Sequence, residues 1–308
     1  MHVLVTGSSG LIGLPLVNAL VDRGDRVTRL VRASSAPGLR PSAVVDVSWD
    51  PAAGTVDLAA LEAAGPVDGV VHLAGAGVGD KRWNPARKQI ILSSRTDGTR
   101  LLATTLAALS TPPSVLVSSS AVGYYGDRGA DVLDEDSDAG VGFLAGVCVA
   151  WEEAAAPAAA AGVRTVLLRT GIVLSAAGGA LGKQLPLFRL GLGGRIGSGR
   201  QYRSWITLDD QVAAILHCLD DSSLSGPVNA TGPEPATDAE LAKSLGAVLH
   251  RPTILAVPST ALKIVLGSEM ATDMVLSSQR VVPARLLASG FTFTHTDLDE
   301  AVASVLGR

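Results

Sequence analysis

The stretch "HVLVTGSSGLIG", residues 2–13, decides how the rest of the chain reads. "HVLVT" forms a short apolar strand, and "GSSGLIG" follows with glycines at 7, 10 and 13. A helical pattern then runs through "LPLVNALVDRG" to Gly24. Glycines spaced this way, between a strand and a helix, suit the pyrophosphate of a dinucleotide. Gly7 permits the tight turn, Gly10 lets the backbone approach the phosphates, and Gly13 allows the helix to pack close to the strand. The helix N-terminus adds amide donors for the anion. Gly7, Ser8, Ser9, Gly10, Leu11, Ile12 and Gly13 are therefore the candidate cofactor contacts of this turn.

Working outward, strands and helices alternate. "RVTRLVR", 26–32, reads as a second strand, and "AVVDVSWD", 43–50, as a third. "PVDGVVHLAG", 66–75, "PSVLVSSS", 113–120, and "VRTVLLRTGIVLS", 163–175, read as further strands. Helical patterns cover 86–109 and 143–161, the second expected to kink at Pro157. This alternation predicts an α/β fold with a doubly wound parallel sheet and helices on both faces. Ligands of such sheets sit beyond the carboxyl ends of the strands.

An NAD site places Asp or Glu at the end of the second strand to hold the ribose hydroxyls. Here the strand ends "LVRAS", with Arg32 in that region and Ser34 and Ser35 just beyond. An arginine suits a 2′-phosphate and cannot accept a hydrogen bond from a hydroxyl. The expected cofactor is NADP(H), with Arg29 a weaker second candidate and solvated surface arginines the alternative. Asp46 and Asp50 both lie where the adenine edge is expected, and the sequence does not choose between them.

Composition narrows the partners. The 308 residues are 47% hydrophobic and 18% charged, which suits a globular protein. Net charge is −4, from 25 basic and 29 acidic residues, and no basic run tracks a phosphate backbone, so no nucleic-acid partner is expected. The chain passes directly into an apolar strand without the basic segment of a signal peptide. Its longest apolar stretches read as too short to span a bilayer, so no membrane partner is expected and the cytoplasm is the expected location. Two cysteines, Cys148 and Cys218, and five histidines show no metal-ligand spacing. The remaining expectation is a small-molecule substrate; oligomeric state is not legible.

The "GSSGLIG" turn, "HLAGAG" at 72–77, "SSSAVGYYG" at 118–126 and "WITLDD" at 205–210 resemble, in this order, an extended or atypical short-chain dehydrogenase/reductase. "FLAGVCVAWEEAA" at 143–155, "LGLGGRIGSGRQYRSWITLDD" at 190–210, the stretch 226–252 and "VVPARLLASGFTF" at 281–293 narrow the resemblance. They are similar to the epimerase-like subgroup that carries a C-terminal domain of unknown function. The resemblance covers nearly the whole chain. It implies a Rossmann core over 1–175 and a smaller C-terminal α/β domain over 176–308, with 205–225 returning to the core. It also implies cofactor contacts at Leu73, Ala74 and Gly75, at the strand bearing Ser118, and at Arg169 in "RTGIVLS".

In that superfamily a tyrosine exchanges the substrate proton, a lysine one helical turn later lowers its pKa, and a serine orients the substrate oxygen. Tyr and Lys four apart share a helix face. None of the five lysines here follows a tyrosine by four. Anchoring on Glu152 places Leu144 at the tyrosine position and Cys148 at the lysine position. Ser120 aligns with the orienting serine, and Tyr124 and Tyr125 are left as replacement proton donors, with Arg128 a candidate for nearby charge. The alternative is that both tyrosines pack.

Lys81 and Arg82, after "GAGVGD", are candidate substrate-side residues. So are Arg203 and Trp205, on the resemblance, with packing between domains the alternative for Trp205. Asp209 or Asp210 is expected to cap the helix that follows. "TDAELAKSLGAVL", 237–249, reads as a helix with a capping pair ending at Glu240. The glycine-rich span 176–204 reads as a lid or substrate loop. Two functions fit: an NADP(H)-dependent oxidoreductase or epimerase-like enzyme lacking the usual Tyr/Lys pair, or a noncatalytic NADP(H) sensor.

Overall fold

The structure is a computed structural model that describes residues 1–32 and 43–308. Its main sheet has eight strands: β1 (His2–Thr6), β2 (Arg26–Val31), β3 (Val44–Asp50), β4 (Thr55–Val56), β5 (Gly69–His72), β6 (Val115–Ala121), β8 (Arg164–Thr170) and β12 (Gly226–Ala230). Their order is β12-β8-β6-β5-β1-β2-β3-β4. Every neighbouring pair is parallel except β3 and β4, which form an antiparallel edge. From β1 the chain winds outward through β2 and β3, then returns to place β5 on the other side of β1. The winding therefore reverses between β1 and β5, and the crevice beyond their carboxyl ends is the expected ligand site of the fold.

Alternation along the strands builds two cores. Val3 and Val5 of β1 and Val115 and Val117 of β6 face one side, with Leu16 and Leu20 of α1 (Gly13–Asp22) and Ile215 of α7 (Leu208–Asp220). Leu4 and Leu116 face the other, with Leu102 and Leu106 of α3 (Pro85–Ala108). Both faces are covered, which is why these strands read as continuous apolar runs. Asn84 caps α3 by accepting the Arg87 N–H, and Pro85 opens the helix where no amide partner is needed. A short helix, α2 (Leu58–Ala63), is capped by Asp57.

The 143–160 segment is long and apolar enough to cross a membrane, unlike the expectation from the sequence. It is broken instead. α4 (Phe143–Glu153) and α5 (Ala156–Ala160) meet at Ala154 and Ala155, both buried, and Pro157 stands in the first turn of α5 rather than in mid-helix. Both helices pack on α3 as core elements.

The C-terminal elements have a core of their own around Leu181, Leu185, Trp205, Leu245 and Val302. It gathers α6 (Gly179–Arg189), α8 (Asp238–Leu249) and α12 (Leu298–Val305). The glycine-rich span is thus partly helical rather than a loose lid. Three small strand pairs complete the structure: β9 (Ile172–Leu174) with β11 (Trp205–Thr207), β10 (Tyr202–Arg203) with β13 (Ala236–Thr237), and β7 (Val132–Leu133) with β14 (Arg280–Val281). α9 (Ser259–Leu266), α10 (Ser268–Met270) and α11 (Ala284–Ala288) lie along the remaining chain. Thr207 caps α7 rather than either aspartate. The Asp210 carboxylate instead accepts the Thr294 and His295 N–H groups at 2.7 and 3.1 Å, and so ties the C-terminal segment to α7.

Candidate functional site

Two cavities meet at Gly7, Gly10 and Leu73, at the reversal of the sheet. Gly7 has a φ of +65°, and a Cβ there would lie 2.7 Å from the Leu73 carbonyl carbon. A Cβ at Gly13 would lie 2.2 Å from the Gly7 oxygen. Both positions need glycine, the first for conformation and close approach, the second for close approach alone. No side chain caps α1; Leu14 gives its N–H to the Gly10 carbonyl and Pro15 has none, so the donors an anion can use belong to the turn just before the helix.

The larger cavity, about 710 Å³, runs from the turn to the end of β2 and is lined by Ser8, Ser9, Ala74, Gly75, Arg32 and Asp50, among others. Arg32 is exposed at its rim. Arg29 is engaged, its Nε and a terminal nitrogen lying 2.7 and 3.0 Å from the Asp46 carboxylate. Of the two aspartates proposed for the adenine edge, Asp50 therefore stands in the cavity wall and Asp46 in an ion pair. One Asp50 oxygen accepts the Ala52 and Ala53 N–H groups, which orients the carboxylate. Ser34 lies outside the described residues.

The smaller cavity, about 360 Å³, continues past Leu11, Ile12 and Gly13 to Ser119, Ile172 and Val173. Ser119 was not among the residues singled out from the sequence. Period-2 alternation points to it, since Val115 and Val117 face α1 and the residue two further on does the same. Ser118 faces the opposite side, buried, without a hydrogen-bond partner among the described residues.

A buried chain of hydrogen bonds fixes the Leu73–Ala74 wall. Thr6 Oγ1 accepts both of these N–H groups, each at 3.2 Å. Its own hydrogen therefore goes to His72 Nδ1, 2.7 Å away. His72 Nε2 then carries the ring proton and donates to Thr99 Oγ1 at 2.9 Å, where Trp151 Nε1 also donates at 2.9 Å. Burial pushes the His72 pKa down to about 4, so the ring is neutral.

The expected catalytic group is arranged differently from the sequence reading. Ser120 donates to Glu152 Oε1 at 2.6 Å. Arg169 holds both oxygens of Glu152, at 2.8 and 2.9 Å. It also donates to the Tyr125 hydroxyl at 3.0 Å, which in turn donates to Asn229 at 2.7 Å. Tyr125 is 0% exposed, and burial pushes its pKa up to about 12. It faces this network and not the cleft. Arg169, expected against the cofactor, is likewise buried and committed to Glu152. Tyr124 is half-buried, with the Arg169 Cζ 3.5 Å from its ring centroid. The cation beside Tyr124 is thus Arg169 and not Arg128, which reaches back to the Asp138 carbonyl. Leu144 and Cys148 lie against the turn before Tyr124: a Cβ on Gly123 would be 3.6 and 3.7 Å from them. Burial pushes the Cys148 thiol up to about 12, which makes it inert.

The substrate-side residues are also redistributed. Arg203 is buried and paired with Asp238 at 3.2 Å, and Trp205 is buried within the C-terminal core, so neither faces the cleft. Arg82 reaches the Ile264 carbonyl at 3.3 Å, toward α9. Lys81 is exposed.

Known proteins share this fold. Residues 3–230 match the model of the NAD dependent epimerase/dehydratase family, and residues 257–305 match a domain of unknown function, DUF1731. The chain is 44% identical to the epimerase family protein Mb2239 of Mycobacterium bovis, over 99% of this chain and 98% of that one. It is similar to the solved structure of the human epimerase family protein SDR39U1 (isoform 2) with NADPH, with a TM-score of 0.87, 33% identity and full coverage of both chains. The nucleoside-diphosphate sugar epimerase of Corynebacterium glutamicum matches with a TM-score of 0.79 and 36% identity, over 100% of this chain and 58% of that one.

Proposed function

Because the chain belongs to the NAD dependent epimerase/dehydratase family, we propose that it is an NADP(H)-binding oxidoreductase or epimerase-like enzyme acting on a small or nucleotide-linked substrate. The observation that carries this reading is the pair of cavities joined at the glycine turn, with Arg32 at the rim where a 2′-phosphate belongs. The engagement of Arg29 by Asp46 leaves Arg32 the better placed of the two for that phosphate. The similar human protein was solved with NADPH.

NADPH would supply a hydride, and the other tasks fall to this chain. The Gly7–Gly13 turn at the start of α1 holds the pyrophosphate, with Leu73, Ala74 and Gly75 opposite. Asp50 offers its carboxylate to the adenine edge. Leu11, Ile172 and Val173 give the inner cavity an apolar lining that excludes water. Ser120, buried, spends its hydrogen on Glu152 and lines neither of these cavities, so Ser119, in the wall of the inner one, is the serine offered to a substrate. Tyr124 is the remaining phenol for proton exchange. Lys81, exposed, is the basic group proposed to meet a substrate's charge.

A second reading, a noncatalytic NADP(H) sensor, is favoured by Leu144 and Cys148, which occupy the tyrosine and lysine positions and carry no proton chemistry. NADPH oxidation measured against a panel of carbonyl substrates separates the two. The enzyme reading expects turnover with at least one substrate, reduced about a hundredfold in Tyr124→Phe, the size of a lost general acid. Tight NADPH binding without oxidation across the panel supports the sensor. Turnover that Tyr124→Phe leaves unchanged removes Tyr124 from the mechanism.

A further inference from the structure

Three arginines among the described residues are deeply buried: Arg95, Arg169 and Arg203. Arg169 is paired with Glu152 and Arg203 with Asp238. Arg95, only 9% exposed, has no carboxylate partner among the described residues; the charged neighbour that acts on it is Arg87, a like charge. An unpaired buried cation is costly, so its retention calls for an anion to meet it.

Its surroundings say which anion. Arg95 lies on α3 and donates to the Ala76 carbonyl at 3.0 Å and to the Ile91 carbonyl at 3.1 Å. The neighbouring Ser94 hydroxyl accepts the Ala76 N–H at 3.1 Å, so α3 grips both polar groups of that residue. Gly75 and Ala76 line the larger cavity, and a Cβ on Gly75 would lie 3.6 Å from the Arg95 Cζ. On the other side, the Arg95 Cζ sits 4.8 Å from the Trp151 ring centroid. Trp151 is three residues after Cys148 on α4, which puts the two on one helix face. The guanidinium therefore stands between the cofactor wall and the place where a lysine on α4 would be.

We propose that Arg95 is a second cation of the cofactor site besides Arg32, supplied from α3 in place of a lysine on α4, and that it positions the anionic dinucleotide along the Gly75–Ala76 wall. This rests on the dinucleotide reading of the cleft. Arg95 lies behind the wall, so it is a positioning residue. It acts through the Ala76 peptide and through its field across one layer of backbone, where water screens little.

The test is calorimetric titration of the full chain with NADPH and with adenosine 2′,5′-bisphosphate, a fragment without the nicotinamide half. Arg95→Met should weaken NADPH and the fragment alike, about tenfold, the scale of one partly screened charge, because the Gly75–Ala76 wall lines the cavity assigned to the adenosine half. Arg95→Lys should retain most of the affinity, and adding Cys148→Lys to Arg95→Met should restore it. Arg95→Gln keeps a donor for Ala76 but no charge, and it should show the same loss if Arg95→Met does not fold. Wild-type affinity for NADPH in the neutral variants would overturn the assignment, as would a loss that neither Arg95→Lys nor the added Cys148→Lys restores. A wild-type protein that binds neither ligand would instead refute the dinucleotide reading on which the assignment stands.

Discussion

His72 joins three elements through its two ring nitrogens, and its burial links cleft geometry to pH. The ring is neutral in the folded protein, with a pKa of about 4 against 6.5 for a free side chain. Between these values the unfolded chain binds a proton that the folded one refuses. Stability is therefore full above pH 6.5 and falls as the pH drops toward 4. The loss approaches about 3 kcal/mol across the window. His2, also held below its usual range by burial, adds in the same direction. Urea unfolding at pH 7 and pH 5 should show the fall, and His72→Gln should flatten it; an unchanged slope in that variant would contradict the neutral-ring assignment. Residue chemistry of this kind was only partly legible in the sequence. The glycines of the turn and Arg32 stand where local spacing put them. Tyr125, Arg169 and Arg203 do not, because their partners are remote: Asn229 lies 104 positions from Tyr125, and Asp238 lies 35 from Arg203. No local pattern carries that information.

At the scale of elements, short-range chemistry was the better guide. "TDAE" implied a capping pair, and α8 has it. Thr237 Oγ1 accepts the Glu240 N–H at 3.3 Å, and the Glu240 carboxylate accepts the Thr237 N–H at 2.7 Å. Thr237→Ala should lower stability by about 1 kcal/mol, measured by thermal unfolding, without affecting cofactor binding. A loss of cofactor affinity would show that α8 shapes the cleft. The cap of α7 was misread because three consecutive residues, Thr207, Leu208 and Asp209, precede Asp210, and the choice among them depends on where the strand β11 ends. Asp210 is drawn instead toward residues 294 and 295, a contact that local sequence does not encode. Likewise the apolar 143–160 run meets the length criterion for a membrane span, yet its burial against α3 decides its role.

For the whole molecule, the deciding feature is the reversal of strand order between β1 and β5. It opens the crevice at the glycine turn, brings Leu73–Ala76 opposite, and places Arg32 at the rim. The strand alternation in the sequence was sufficient for this architecture. It did not place β12, which extends the sheet from beyond the segment expected to return to it. Nor did it show that the β9–β11 pair stands beside the inner cavity, or that the β7–β14 pair ties the C-terminal segment to residues 132–133, since these are two- and three-residue strands with no pattern of their own. The central claim, that this crevice holds NADP(H), is tested most directly by titrating NADPH and NADH into the wild-type protein and Arg32→Ala. The account predicts NADPH binding at least about tenfold tighter than NADH in the wild type, with that preference lost in Arg32→Ala, as expected for one charge-assisted phosphate contact. Equal affinities for the two cofactors in the wild type, or equal losses of both on replacing Arg32, would contradict it.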